Sequence, residues 1–328
     1  MSMRILYVGY RDWRHSKYSG YDWITNFPNT KYLSDKQVFF NRINMGQSGK
    51  FINLFFLDLK ARWLRKKYDI IHYFIGDLTM FFKFRKQKNH KVIATIHLDT
   101  ERPASHHKNI INILRTVDRI IVLNSQQRDF LVQKYNLPAV FIPHGFNKPR
   151  FNKKTITDVI PNFDTNKINI VTIGRQYRDY ETLEKVVRET INDDVHFYLL
   201  GLDKTKRNLF EKLSNVTICF RLNDDYYYSL IDACDWSFLP LTFATANNAL
   251  MESQYLGKKT ILPNISGVTD YAAQKENFFY NNFDELIGFI SRIKKQNKSS
   301  YLERYAEKYS WENVYNLLNN LYKEVLEE

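Results

Sequence analysis

The sequence predicts an α/β protein of two Rossmann-like, doubly wound parallel-sheet domains facing a central cleft. Three observations predict it. Short apolar runs alternate with segments of helical period along nearly the whole chain, as expected of strands covered on both faces by crossover helices. These runs fall into two series separated by a polar, proline-bearing stretch. The length, 328 residues, suits two domains of ordinary size, each with its own core.

The first series comprises Arg4 to Val8, Ile70 to Phe74, Val92 to His97, Arg119 to Leu123 and Val140 to Pro143. The second comprises Ile168 to Ile173, His196 to Leu200, Val216 to Phe220, Trp236 to Pro240 and Thr260 to Leu262. Between them HGFNKPRFNKKTITDVIPNFDTNK has scattered prolines and weak periodicity, which places the interdomain linker there. The expected domains are 1–150 and 165–305, followed by a helical segment over 306–328. In that segment Ser310 caps a helix whose apolar face is Trp311, Val314, Leu317, Leu318, Leu321 and Val325. Ligands of doubly wound sheets bind at the carboxyl ends of the strands, so the cleft between the two domains is the expected site.

Composition narrows the class. No apolar run approaches a membrane span, and MSMRILYVGY is too short an apolar start for a signal peptide, so a cytoplasmic protein is expected. Cys219 and Cys234 lack CxxC spacing and nearby histidines, and read as buried free thiols. The net charge of +13 is unevenly spread. Residues 1–150 hold 26 Lys+Arg against 10 Asp+Glu, and the remainder 22 against 25. A basic first half points to an anionic partner: a lipid surface, a polyphosphate or a nucleic acid.

The stretch Phe238 to Tyr271, FLPLTFATANNALMESQYLGKKTILPNISGVTDY, is the most informative. Phe238 to Leu241 reads as a strand end, and Thr245, Asn247 and Asn248 offer capping oxygens. Ala249 to Leu256 reads as a short helix stopped by Gly257, before the next strand at Thr260. A helix that opens at the carboxyl end of a strand presents unpaired amides and a positive dipole, a setting for phosphate. Glu252 lies on this helix, either as a surface glutamate or as a ligand contact; a capping box is excluded because Ala249 stands three residues before it. The second series opens with INIVTIGRQYRDYETLEKVV, in which Arg175 and Arg178 follow a strand. Guanidinium forks hold two phosphate oxygens at once and stay charged, so these two arginines suit a pyrophosphate as well as a solvated loop.

LMESQYLGKKTI resembles the second half of the signature EGFGLxxLEAMACGKPVI of GT-B-fold, retaining glycosyltransferases of the family-4 type. The resemblance implies two domains with a C-terminal helix crossing back to brace the first. It places Glu252 where the second glutamate of the signature holds the ribose of a nucleotide. The first glutamate should stand eight residues earlier, where this chain has Ala244. The sugar is then expected to be held by Thr245 and the amides of Ala246, Asn247 and Asn248, or by the opposite domain. IGRQYRDYETL resembles the family's GR loop, with Arg178 where lysine is usual.

Further positions follow from the same resemblance. KVIATIHLDTERP places His97 against the donor sugar or reaction centre, with Asp99 in the following loop; a satisfied structural histidine and a capping aspartate are the plain readings. GYRDWRHSKYSGYDWI has Ser19 and Gly20 where the family has a glycine-containing loop, and puts Trp13, His15 and Tyr18 on the acceptor side. VTICFRLNDDYYYSL corresponds to the base-binding region, at Phe220, Arg221 and Leu222. DRIIVLNSQQRDFL, with Ser125, and VFIPHGFN, with His144 for the usual asparagine, support the fold. His106 and His107 read as solvent-facing. The implied catalytic set is His97, Arg175 and Arg178.

No Asp-x-Asp triplet occurs, and Asp193-Asp194 and Asp224-Asp225 fall in expected turns, so no metal and no other cofactor is expected. The resemblance implies transfer from a UDP- or GDP-sugar with retention, the departing diphosphate stabilised by cations and taking the acceptor's proton. Residues 60–91 hold ten Lys+Arg and two Asp, interleaved or flanked by Phe51, Leu54, Phe55, Trp63, Phe81, Phe82 and Phe84. This reads either as a solvated helix face over a core or as a basic amphipathic surface for an anionic bilayer, with a lipid-linked glycan of an envelope polysaccharide as acceptor. The rivals are a nucleic-acid-binding protein, which the charge alone would suit, and a degenerate GT-B protein or nucleotide-sugar epimerase, which the alanine at 244 would suit. No nucleic-acid motif is present, and no nucleic-acid partner is expected.

Overall fold

A computed structural model of the protein describes residues 3–10, 20–38, 46–97, 110–220 and 222–328, with backbone alone for 46–51. The chain divides into two compact units, Met1–Asn147 with Tyr309–Glu328, and Lys148–Lys308.

The first unit contains β1 (Ile5–Gly9), β2 (Thr30–Ser34), β3 (Ile70–Tyr73), β4 (Lys91–Ile96), β5 (Arg119–Val122) and β6 (Ala139–Phe141). They form one parallel sheet in the order β2-β1-β3-β4-β5-β6. β1, β3 and β4 are buried along their whole length, which explains their largely apolar sequences. Helices α1 (Gly46–Leu64), α2 (Gly76–Thr79), α3 (Ile110–Leu114) and α4 (Ser125–Tyr135) belong to this unit. The cap of α4 is Asn124, whose Oδ1 accepts from the Gln127 N–H at 2.7 Å, so Ser125 is the first helical residue.

In the second unit β7 (Ile168–Ile173), β8 (Val195–Leu200), β9 (Val216–Cys219), β10 (Trp236–Phe238), β11 (Thr260–Pro263) and β12 (Phe278–Tyr280) are again all parallel. Their order is β12-β11-β10-β7-β8-β9. The chain moves outward through β8 and β9, then returns to start again at β10 on the other side of β7. The point where the order reverses lies between β7 and β10, which is where such sheets place their ligands. Helices α5 (Tyr180–Glu189), α6 (Asp224–Ala233), α7 (Asn248–Tyr255), α8 (Phe283–Ile290) and α9 (Ser300–Glu307) pack with this sheet. The last helix, α10 (Trp311–Glu327), groups with the first unit.

Several expectations change. β2 and β12 are strands that the apolar-run pattern passes over; both are edge strands, paired on one side only, and need no long apolar run. The segment expected as a linker is largely part of the second unit. The Asn152 N–H donates to Asp225 at 2.9 Å, the Lys154 N–H donates to Ser229 Oγ at 2.8 Å, and Ile156 and Ile160 are buried. Asp224 and Asp225 open α6 behind the Asn223 cap rather than sitting in a turn. On α10, Ser310 caps as expected, and Trp311, Val314, Leu318, Leu321 and Val325 are buried. Leu317 is 45% exposed, and the fully buried Tyr322 belongs to the inward face instead. Both cysteines are buried and free. No described helix is long and apolar enough to cross a membrane.

Candidate functional site

β7 is followed by Gly174, whose φ of +92° favours glycine, and a side chain there would start 2.6 Å from Arg178 Nη2. The bare backbone lets Arg178 fold back over the strand end. Its Nε donates to the Ile173 carbonyl at 2.8 Å and Nη1 to that of Gln176 at 2.9 Å, while Nη2 also donates to Ile173. Burial draws this guanidinium down to about 10, still charged at neutral pH. Arg175, in the same loop, is exposed, and its carbonyl accepts from the Tyr180 hydroxyl at 3.1 Å.

The loops after β7 and β10 are stitched together. The Asp179 N–H donates to the Pro240 carbonyl at 2.8 Å, and the Thr242 N–H to the Tyr177 carbonyl at 2.9 Å. Through these bonds Arg178 stands beside the segment that leads into α7. That helix begins at Asn248 behind Asn247, whose Oδ1 accepts from the Leu250 N–H at 3.1 Å. Thr245, Ala246 and Asn248 are half-buried around this N-terminus. Ala244 is buried, and its carbonyl lies where a side chain on Gly267 would begin, 1.8 Å away. The backbone of the loop is thus closed down on the turn at 265–267.

Glu252 is buried at 7% exposure, which removes the surface-glutamate reading. Tyr227 Oη donates to its Oε2 at 2.7 Å and Tyr228 Oη to its Oε1 at 3.2 Å. Burial pushes the carboxyl up to about 7, against the two hydroxyl bonds that hold it down. Tyr227 also lies within electrostatic reach of Arg178. Arg178 after β7, Tyr227 on α6 and Glu252 on α7 therefore form one polar cluster at the carboxyl ends of β7 and β10. Phe220 is half exposed under the Arg207 guanidinium, 4.0 Å from its ring centroid, and Leu222 is half-buried.

In the first unit His97 follows β4. Its Nε2–H donates to the Phe74 carbonyl at 2.8 Å, and its ring meets the edge of Tyr21 with centroids 4.7 Å apart. Gly20 is buried just before Tyr21, with a φ of −76° that any residue adopts; its carbonyl accepts from the Trp23 N–H at 3.1 Å. Behind Tyr21 runs a buried chain of polar groups. Tyr21 Oη is 3.3 Å from Thr95 Oγ1, which is 2.7 Å from His72 Nε2; His72 Nδ1 is 2.6 Å from Tyr322 Oη, which is 3.1 Å from Tyr7 Oη. Burial draws His72 down to about 3, so it is neutral at ordinary pH. His144 is buried among Tyr21, Phe146 and Trp311.

Trp13, His15, Tyr18, Ser19, Asp99, His106, His107 and Arg221 lie outside the described residues. Sequence reasoning missed Tyr227 and Tyr228, although DDYYY is an unusual run of hydroxyl-bearing rings at a helix start, and it missed Tyr21, His72 and Thr95. No group of His, Cys, Asp and Glu among the described residues has the arrangement of a metal site.

Residues 23–149 match the family model described as Glycosyltransferase Family 4. None of the curated proteins matches the chain in sequence. Among solved structures it is similar to sucrose-phosphate synthase from Thermosynechococcus elongatus, with a TM-score of 0.66 and 16% identity over 98% of this chain and 88% of that one. It is similar to HepE from Anabaena, determined with UDP and glucose, with a TM-score of 0.67 and 14% identity over 99% of each chain. TarM from S. aureus gives a TM-score of 0.62 and 18% identity over 82% of this chain and 58% of its own. Two parallel six-stranded sheets in this order and these likenesses define the GT-B fold. The chain thus has the GT-B fold, and its first unit is similar to the Glycosyltransferase Family 4 model over residues 23–149.

Proposed function

We propose that this protein is a glycosyltransferase, moving a sugar from a nucleotide-sugar donor to a glycan acceptor, with retention at the anomeric carbon and no metal. The observation that carries the reading is the cluster of half-buried Arg178 and Tyr227 with buried Glu252 at the strand-order reversal of the second unit. An ionised carboxylate accepts at about four positions, and the two tyrosines take two of Glu252's. The other two suit the paired hydroxyls of a ribose. Arg178 and the exposed Arg175 suit the diphosphate, beside the N-terminus of α7. Phe220, Arg221 and Leu222 are assigned to the base, and Thr245 with the amides of Ala246 to Asn248 to the sugar. Gly20 and His97 are assigned to the transferred sugar, and Trp13, His15, Tyr18 and Asp99 to the acceptor. HepE, of the same fold, was determined with UDP, which favours a UDP-sugar over a GDP-sugar.

In the transfer, the bond from the anomeric carbon to the diphosphate oxygen breaks with its electron pair on the diphosphate. The acceptor hydroxyl bonds to that carbon on the same face, and its proton passes to the departing phosphate. Arg175 and Arg178 stabilise the charge that gathers there; a donor aimed at such charge contributes on the order of 10²–10³ in rate. The basic first unit supports a lipid-linked acceptor of an envelope polysaccharide, reached from the inner face of the plasma membrane.

Thermal unfolding with UDP and with GDP, followed by transfer and hydrolysis assays on a panel of nucleotide sugars, tests this. One diphosphate should raise the midpoint, and the matching sugar donors should turn over without added divalent ion. Binding without turnover of any donor would favour a degenerate GT-B protein; conversion of the donor to its epimer would replace transfer.

A further inference from the structure

The segment 60–91 holds ten Lys+Arg against two Asp, but its cations do different things. Arg62 is turned inward: its Nε donates to the buried Asp58 at 2.9 Å, its other nitrogens donate to the carbonyls of Phe82 and Lys83, and its plane lies 3.7 Å from the Phe84 ring centroid. Arg65 is buried and donates to the carbonyls of Arg85 and His90. These two arginines fasten the 82–90 strap to α1 and the turn that follows it. Lys66, Lys67 and Lys83 are exposed. Among the described residues, the acids of this stretch of sequence are committed: Asp58 to Arg62, Asp69 to Arg4 at 2.9 Å, and Asp77 is buried.

The apolar residues divide in the same way. The inward face of α1 is complete with Leu54, Leu57 and Ala61, which are buried, and Phe84 packs in the same core. Leu59 and Trp63, one helical turn apart, point away from that face and are 39% and 74% exposed. Phe82 is 39% exposed, set beside α1 by the Arg62 clamp and 5.4 Å from the Phe55 ring. The core has no use for these three side chains. An exposed Trp flanked by Leu, Phe and exposed lysines fits the boundary between lipid headgroups and acyl chains, where the indole buries its apolar ring and lysines meet anionic phosphates.

We propose that Leu59, Trp63 and Phe82, ringed by Lys66, Lys67 and Lys83, form a docking surface for an anionic lipid bilayer. The inference deepens the reading of a lipid-linked acceptor and rests on it for its purpose, but the surface itself is tested without any substrate. A free polyanion such as RNA would meet the lysines and leave the apolar tips unused, so removal of Trp63 separates the two.

The test is flotation of the full-length protein with vesicles of phosphatidylcholine, with and without phosphatidylglycerol, comparing wild type, Trp63→Ala and the triple variant Lys66→Glu/Lys67→Glu/Lys83→Glu. Retained thermal unfolding midpoints show that both variants are folded. Recovery should require phosphatidylglycerol. Trp63→Ala should weaken it on the order of tenfold, and the triple variant should abolish it, each neutralised lysine alone counting for roughly fivefold. Equal recovery without phosphatidylglycerol, or none with it, overturns the proposal. So does Trp63→Ala floating like wild type while the triple variant loses both vesicles and a fluorescent RNA, which would mark a polyanion site. If flotation fails while UDP or GDP still raises the unfolding midpoint, the docking surface falls and the transferase reading stands; flotation without any nucleotide effect gives the reverse.

Discussion

His72 in the first unit and Glu252 in the second are both buried among strands and helices, and they respond to burial in opposite directions. His72 in the first unit is drawn down to about 3, and Glu252 in the second is pushed up to about 7. The cause is the same, since burial disfavours the charged form of either group. The surroundings differ. His72 has a hydroxyl on each ring nitrogen and ends in a chain of tyrosines and a threonine, so a neutral imidazole is satisfied there. Glu252 has one tyrosine hydroxyl on each oxygen and half of its accepting capacity left over. The first is finished structure, and the second is suited to a ligand that brings its own donors.

The signs of the pH responses follow. For His72 the folded value lies below the ordinary 6.5, so its share of stability is full above that pH and is lost as pH falls toward about 3. For Glu252 the folded value lies above the ordinary 4.5, so stability is greatest below that pH and declines as pH rises through about 7.

The largest expected effect concerns the helix that closes the first unit. Trp311, 1% exposed and packed on Gly145 and Trp23, should cost about 3–5 kcal/mol on change to alanine. Urea unfolding measures it, and a loss under about 1 kcal/mol would break the assignment of α10 to that core. Next, His72→Leu leaves two hydroxyls facing an apolar group, at about 1–3 kcal/mol for each left unsatisfied. It should also flatten the acid limb of stability between pH 6.5 and about 3. An unchanged acid limb would show that another group sets it. Arg178→Lys replaces a fork with a point charge and cannot hold both Ile173 and Gln176 carbonyls. A loss of about 1 kcal/mol and a weaker nucleotide midpoint shift are expected; full retention of both would make Arg178 dispensable. Leu317→Lys, on the exposed side of α10, should stay within about 0.5 kcal/mol. A larger change would mean that Leu317 is covered.

The sequence displayed its central strands plainly, because strands buried on both faces need mostly apolar residues, as IIHY at β3 and INIVTI at β7 show. β2, TKYLS, and β12, FFY, are short edges with no such requirement. Of the candidate cluster, Glu252 and Arg178 were singled out in the sequence by their resemblance to the family's signature and GR loop. Their partners were not. Tyr227 meets Glu252 across 25 positions and from a different helix, and His72 meets Tyr322 across 250, so spacing carries no signal of either contact. The inward turn of Arg62 and Arg65 was likewise hidden, since a charge count treats them like the exposed lysines beside them.

The central claim is that the ionised Glu252 carboxylate receives the ribose of a nucleotide sugar. Calorimetric titration of UDP-glucose and GDP-mannose across neutral pH, with wild type and Glu252→Gln, tests it most directly, because the diphosphate diester of a nucleotide sugar does not itself titrate there. The account predicts wild-type affinity that strengthens as pH rises through about 7, with proton release on binding. It predicts weaker and pH-independent binding by the glutamine variant. Equal affinity and an equal pH profile for the two proteins would contradict it.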